Sequence, residues 1–97
     1  MKLLRYYYIA PTYSMAKRIA WDYLKHYTSV LPNMQFHETE LRADLPNGGR
    51  IQLLGCERID TLRGLYMDGC CLDEVSQMPP KLWTEIIRPA LSDRVIT

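Results

Sequence analysis

The spacing of apolar and polar residues along the 97-residue chain predicts a strand that is followed by a helix. Leu3 to Ala10 is an apolar, tyrosine-rich run that stops at Pro11, which is typical of a strand. Residues 11–14 are a tight connection to a predicted helix, with Thr12 or Ser14 as its N-cap, and the helix runs to about Tyr27. The residues of its apolar stripe recur three or four positions apart and are predicted to face the core: Ala16, Ile19, Ala20, Tyr23, Leu24 and Tyr27.

A second face of this predicted helix carries Lys17, Trp21 and Lys25, each four residues from the next. A basic stripe with a tryptophan is compatible with contact to a nucleic-acid backbone. We favour the simpler interpretation, in which the lysines are solvated and Trp21 packs on a neighbouring element.

The middle of the chain predicts an antiparallel β-hairpin. Residues 36–45 alternate between apolar and charged side chains, which is the pattern of a half-exposed strand. Residues 46–49, Pro-Asn-Gly-Gly, form a turn sequence of the kind that joins hairpin strands. Arg50 to Leu54 is the predicted return strand, with Ile51 and Leu53 on its buried side.

The stretch most informative about function is a largely apolar run, Leu65 to Leu72, which ends in Asp73 and Glu74. Such a run predicts a buried strand of a parallel sheet, and ligands of open α/β sheets bind beyond the carboxyl ends of the strands. Asp73 could hold Mg²⁺ through water, and Glu74 could orient and deprotonate an attacking water. This is the Walker B pattern of P-loop ATPases. A strand whose terminal acids simply meet solvent is the alternative.

Composition narrows the class of protein only slightly. The three cysteines, Cys56, Cys70 and Cys71, match neither a disulfide framework nor a zinc site, which favours buried, reduced thiols in a cytoplasmic protein. No signal peptide or run of membrane-spanning length is present, so no membrane association is expected. The net charge of +1 gives no overall electrostatic footprint for nucleic acid, although a small net charge does not exclude DNA as a partner.

Several motifs, in the same order along nearly the whole chain, resemble those of bacteriophage terminase large subunits. Residues 8–13 and 16–21 are similar to that family's second strand and helix, and residues 45–51 to its hairpin. Residues 60–69 resemble its approach to Walker B, and the match continues through residues 72–74, 77–78 and 83–91.

The resemblance implies part of an ATP-driven motor that packages double-stranded viral DNA. In that family a P-loop ATPase domain, which uses ATP and Mg²⁺, precedes a nuclease domain and works with a portal and a small subunit. By the resemblance, Asp73 is the Mg²⁺ residue and Glu74 the catalytic base. Arg63 is a candidate arginine finger, acting on the nucleotide of its own or a neighbouring subunit. A salt bridge near the end of a short helix is the alternative role of Arg63.

The chain also departs from the family pattern, because it contains no G-x-x-x-x-G-K-[ST] phosphate-binding loop. We therefore expect residues 1–97 to be a partial P-loop NTPase-like α/β domain, with parallel strands, a crossover helix and an inserted hairpin. It would run from the family's second strand through the helix after Walker B, without a nuclease domain. Such a partial domain could come from a split gene or from a prophage remnant. The expected location is the cytoplasm of the bacterial host.

Two consequences follow for the isolated chain. No ATP hydrolysis is expected, because Asp73 and Glu74 cannot replace the backbone amides that bind the phosphates. Self-association is expected through the exposed edge of the Walker B strand. Two other functions stay open: a non-catalytic, phage-derived interaction module, and a fragment of another P-loop protein such as a helicase.

Overall fold

The computed structural model describes residues 4–91, which form a mixed α/β fold with a five-stranded sheet. The strands are β1 (Arg5–Ala10), β2 (Gln35–His37), β3 (Arg42–Asp44), β4 (Arg50–Gly55) and β5 (Gly69–Leu72). Leu3, the predicted start of the first strand, lies outside the described residues. None of the helices within residues 4–91 has the length and apolar character that a bilayer crossing requires.

Helical segments connect the strands. The first helix spans residues 13–28, with a π-helical centre at Lys17–Trp21 between α-helical ends. Cys56–Leu62 is a 3-10 helix, and a single 3-10 turn follows β5 at Val75–Gln77. The last helix is π-helical over Leu82–Ile87 and α-helical over Arg88–Ala90.

The strand order is β2-β3-β4-β1-β5. β1 is parallel to both β4 and β5, and the first helix makes the crossover from β1. β3 is antiparallel to β2 and to β4, so the predicted hairpin across the turn at residues 46–49 is confirmed, although its first strand is only Arg42–Asp44. The return strand does more than close this hairpin, because its other edge joins it to β1 and brings the hairpin into the main sheet.

Each face of the sheet carries its own hydrophobic cluster. The 3-10 helix and the last helix cover one face, where Ile9, Leu62, Met67 and Ile87 are buried. The first helix covers the other face above β4 and β1; its buried cluster is Ala10, Ala16, Trp21, Leu41 and Leu53. A sheet buried on both faces explains why the β1 sequence is apolar without alternation.

The predicted buried stripe of the first helix is only partly correct. Ala16 is buried and Ala20 and Leu24 pack against the same cluster, but Tyr23 and Tyr27 are 66% and 71% exposed. Trp21, which the spacing assigns to the second face, is buried. Its ring meets Phe36 edge to face at 6.1 Å, and its Nε1 donates to Glu38 Oε1 at 3.0 Å. The interpretation that Trp21 packs on a neighbouring element is therefore confirmed.

Residues 36–45 do not form the single strand that their alternation predicts. The chain turns at residues 38–41, and the resulting β2 and β3 pair with each other. Leu41 has a positive φ of 52° and is fully buried, and its carbonyl accepts from Leu53 N at 2.9 Å. A period of two cannot distinguish one long strand from two short strands that are joined by an even-numbered turn.

Candidate functional site

Three parallel strands end at the same edge of the sheet. Ile9 lies opposite Leu72, and Ala10 lies opposite Gly55, so β1, β5 and β4 end almost level. The residues that follow these strands are therefore neighbours across the edge. This is the position at which open α/β sheets bind ligands, and both acids of the Walker B pattern lie there.

Asp73 is fixed to the end of β1 through its backbone and its side chain. Its N–H donates to the Ile9 carbonyl at 3.0 Å, and its Oδ2 accepts a hydrogen bond from the Tyr8 hydroxyl. Burial and this hydrogen bond raise the pKa of Tyr8 to about 12. Tyr8 therefore stays protonated at neutral pH and donates to Asp73, which holds the carboxylate in one orientation.

Glu74 has a left-handed backbone conformation, with φ 58° and ψ 49°. This region is unfavourable for a non-glycine residue and is characteristically retained at functional sites. The Glu74 side chain is exposed, and its Oε2 accepts from Gln77 Nε2 at 3.2 Å. The turn therefore directs the chain away from β5 directly after Asp73, while the second carboxylate stays accessible to water.

The start of the first helix lies at the same edge, beside the end of β4. Thr12 caps the helix, with Oγ1 accepting from Met15 N at 3.1 Å. Glu57, which follows β4, accepts from Tyr13 N at 2.6 Å. Gly55 permits this approach, because a Cβ at that position would lie 2.1 Å from Tyr13 N and 2.5 Å from the Thr12 carbonyl carbon.

Solved structures of phage proteins have the same architecture. Two structures of a Thermus phage large terminase ATPase domain match with TM-scores of 0.73 and 0.72 and with 27% and 26% sequence identity. The chain has the fold of a phage large terminase ATPase domain. Each match covers 94% of this chain and 44% of the solved chain, so this terminase-like chain spans less than half of the domain it resembles.

Other comparisons set the limits of that likeness. The large terminase of a thermophilic bacteriophage matches in fold with a TM-score of 0.71 and 16% identity, over 93% of this chain and 24% of its own. No protein-family model and no curated protein matches the sequence. The resemblance that the motifs indicated is confirmed by the solved terminase structures.

Arg63, the third predicted site residue of the terminase-like chain, is held by two acids. Its Nε lies 3.3 Å from Asp60 Oδ1, and its Nη2 lies 3.2 Å from Glu85 Oε1 on the last helix. These hydrogen bonds, the one to Glu85 first, raise the pKa of the guanidinium. The alternative role, a salt bridge at the end of the short helix, is therefore formed in this structure.

The structure brings together Asp73 and Glu74 but places Arg63 in a separate cleft. This cleft has a volume of about 380 Å³, is lined by residues 63–67, 85–86 and 89–91, and includes neither acid. A second cleft, of about 740 Å³, lies beside Gly55 and Glu57 and also excludes the two acids.

The carboxylates of the site fit magnesium held largely through water. Within the described part of the chain, no three His, Cys, Asp or Glu side chains form a group that could enclose a metal ion. Mg²⁺ normally keeps several waters and takes one or two carboxylates together with substrate phosphates. Asp73, oriented by Tyr8, is suited to that single contact.

Sequence reasoning missed Tyr8 and Glu57. Three successive tyrosines favour a packing role by their spacing, and the hydrogen bond from Tyr8 joins residues that are 65 positions apart. The sequence did contain one signal for Tyr8. A tyrosine near the end of one strand can reach an acid at the end of the neighbouring parallel strand. For Glu57 we find no comparable signal, since its contact with Tyr13 depends on how β4 and β1 are aligned.

Proposed function

We propose that this chain is the Walker B segment of a viral DNA-packaging ATPase of the large terminase type. The observation that carries the proposal is the position of Asp73 and Glu74 at the carboxyl end of β5, within a fold that matches terminase ATPase domains over 94% of the chain. In this role Asp73 binds Mg²⁺ through water and Glu74 is the general base. The magnesium, when bound with ATP, neutralises charge on the phosphates.

The chain's own residues divide the work at this edge. Tyr8 holds the Asp73 carboxylate in place by donating to Oδ2. The exposed carboxylate of Glu74 accepts the proton of the attacking water, and Gln77 orients it. Arg63 supplies positive charge to the transferring phosphoryl group, of its own or a neighbouring subunit. The proposal includes ATP as the nucleotide, and double-stranded DNA, a portal and a terminase small subunit as the partners. It places the protein in the cytoplasm of the bacterial host.

The isolated 97-residue chain is expected to show no Mg²⁺-dependent ATP turnover. The backbone amides of a phosphate-binding loop supply most of the affinity for the β- and γ-phosphates, and the sequence contains no such motif. The measurement is phosphate release from purified protein, with the Glu74→Gln variant as the control for contaminating ATPases. Turnover that disappears in this variant would contradict the expectation.

A chimera tests the catalytic proposal itself. Residues 4–91 replace the matching segment of the Thermus phage large terminase ATPase domain, which supplies the remainder of its own ATPase domain. If the acids of this chain belong to a catalytic site, the folded chimera hydrolyses ATP with Mg²⁺. A folded chimera that binds ATP without turnover would contradict the catalytic proposal and favour the non-catalytic interaction module.

A further inference from the structure

We propose that the second cleft, beside Gly55 and Glu57, is a docking site for an arginine side chain of a partner protein. Its volume is about 740 Å³, and four elements form it: the first residues of the first helix, the turn at residues 38–41, the end of β4 and the 3-10 helix. Neither Asp73 nor Glu74 lines this cleft, so docking here would not require a bound nucleotide.

The walls of the second cleft are internal to the described part of the chain, since its lining residues lie between positions 13 and 62. The two ends of that part lie at the opposite end of the parallel strands. The Leu4 carbonyl accepts from Arg50 N at the start of β4 (2.9 Å), and the Ala90 carbonyl accepts from Met67 N just before β5 (3.4 Å). The opening is therefore shaped by the hairpin and the helical segments around it, and neither end of segment 4–91 borders it.

The charged side chains that line the second cleft are both acidic. Glu40 and Glu57 are exposed, and no Lys, Arg or His occurs among the lining residues, all of which are described. Glu57 Oε1 accepts from Tyr13 N at 2.6 Å, and Glu40 Oε1 lies 2.9 Å from Nη1 of Arg42, which does not line the cleft. A carboxylate has about four lone-pair sites, so each acid can keep this contact and also accept from a cationic ligand.

An apolar floor indicates that the cation is carried on a long side chain. Leu53, Leu54 and Leu62 line the cleft together with the two acids. The methylene stem of arginine packs on apolar surface while its charged head stays at a polar rim. The planar guanidinium has five N–H donors, which suit a rim that offers two carboxylates and the hydroxyl groups of Ser14 and Thr39. Lysine, a compact charge with three donors, fits this rim less well.

Titration of the 97-residue chain with the blocked peptide acetyl-Gly-Arg-Gly-amide tests the docking site. The readout is the change in amide chemical shifts in ¹H–¹⁵N NMR spectra, which should saturate and concentrate on the residues that line the cleft. We expect a dissociation constant on the order of 1 mM, because a single side chain makes only a few partly exposed contacts. The same peptide with citrulline, the uncharged isostere of arginine, should bind at least about fivefold more weakly.

Charge-removing variants locate the binding. Glu57→Gln keeps an oxygen that can accept from Tyr13 N, so it should fold as the unmodified chain does and weaken arginine binding about fivefold. Glu40→Gln should weaken it by a similar factor. Asp22→Asn is the matched control, because it removes the same charge from a side chain that is 95% exposed and does not line the cleft. It should bind the peptide as the unmodified chain does.

The same titration on the folded chimera tests whether the second cleft stays open when the rest of an ATPase domain is present. Binding within a few-fold of that of the 97-residue chain is expected. No saturating shifts at the lining residues, equal binding of the arginine and citrulline peptides, an equal loss in Asp22→Asn and Glu57→Gln, or loss of binding in the folded chimera would each overturn the proposal. None of these readouts uses ATP turnover, so such a failure would leave the catalytic proposal unaffected.

Discussion

Gly55→Ala is expected to destabilise the folded chain by about 3 kcal/mol or more, as overpacking against backbone does. The added Cβ would lie 2.1 Å from Tyr13 N and 2.5 Å from the Thr12 carbonyl carbon, so the end of β4 or the start of the first helix has to move. That movement also breaks the hydrogen bond from Tyr13 N to Glu57. The measurement is the free energy of unfolding in urea, followed by circular dichroism.

Gly64→Ala is the matched control for this prediction. Gly64 has a positive φ of 81°, and a Cβ added at this position would meet no atom within 4 Å. Its substitution therefore costs only the backbone strain, about 1 kcal/mol. If Gly55→Ala lowers the free energy of unfolding no more than Gly64→Ala does, then β4 and the first helix do not approach each other as closely as the structure shows.

Arg63→Ala in the chimera is expected to lower ATP turnover by about 10³- to 10⁵-fold, which is the effect of an arginine finger. The guanidinium is exposed and carries full charge, and its two ion pairs lie at the surface, where such pairs contribute little. Losing the ion pairs should therefore hardly change stability, whereas losing the charge near the phosphates removes stabilisation of the transition state. Turnover and ATP affinity are measured together.

Glu85→Gln separates the two roles of Arg63. It weakens the ion pair at 3.2 Å but keeps the arginine, so a finger should retain turnover within a few-fold of the unmodified chimera. Equal turnover in Arg63→Ala and Glu85→Gln would assign Arg63 to the salt bridge alone.

The parts of the fold that depend on local pattern were predictable. The apolar run that ends in Asp73 predicted a parallel strand, and β5 is parallel to β1, although regular pairing covers only Gly69–Leu72. The turn at residues 46–49 predicted the β3–β4 hairpin. In each case the signal is contained within about ten residues and does not depend on which distant segment packs beside it.

The parts that depend on distant contacts were not predictable. The first helix carries two apolar surfaces, and only contacts with distant residues determine which of them is buried. The surface with Trp21 is buried against Phe36 and Glu38. The surface with Tyr23 is exposed. The same limit applies to the site. Asp73 and Glu74 are visible in sequence, but Tyr8 becomes part of the site only when β1 and β5 are aligned.

The most direct test of the account is ATP turnover by the chimera with Glu74→Gln, beside Gln77→Ala as the matched control. Gln77→Ala removes the side chain that donates to Glu74 at 3.2 Å and leaves the carboxylate, so only a small loss is expected. Glu74→Gln should bind ATP normally and lose about 10²- to 10⁴-fold in turnover, as removal of a general base does. A Glu74→Gln chimera that hydrolyses ATP at the unmodified rate would contradict the assignment of β5 as the Walker B strand.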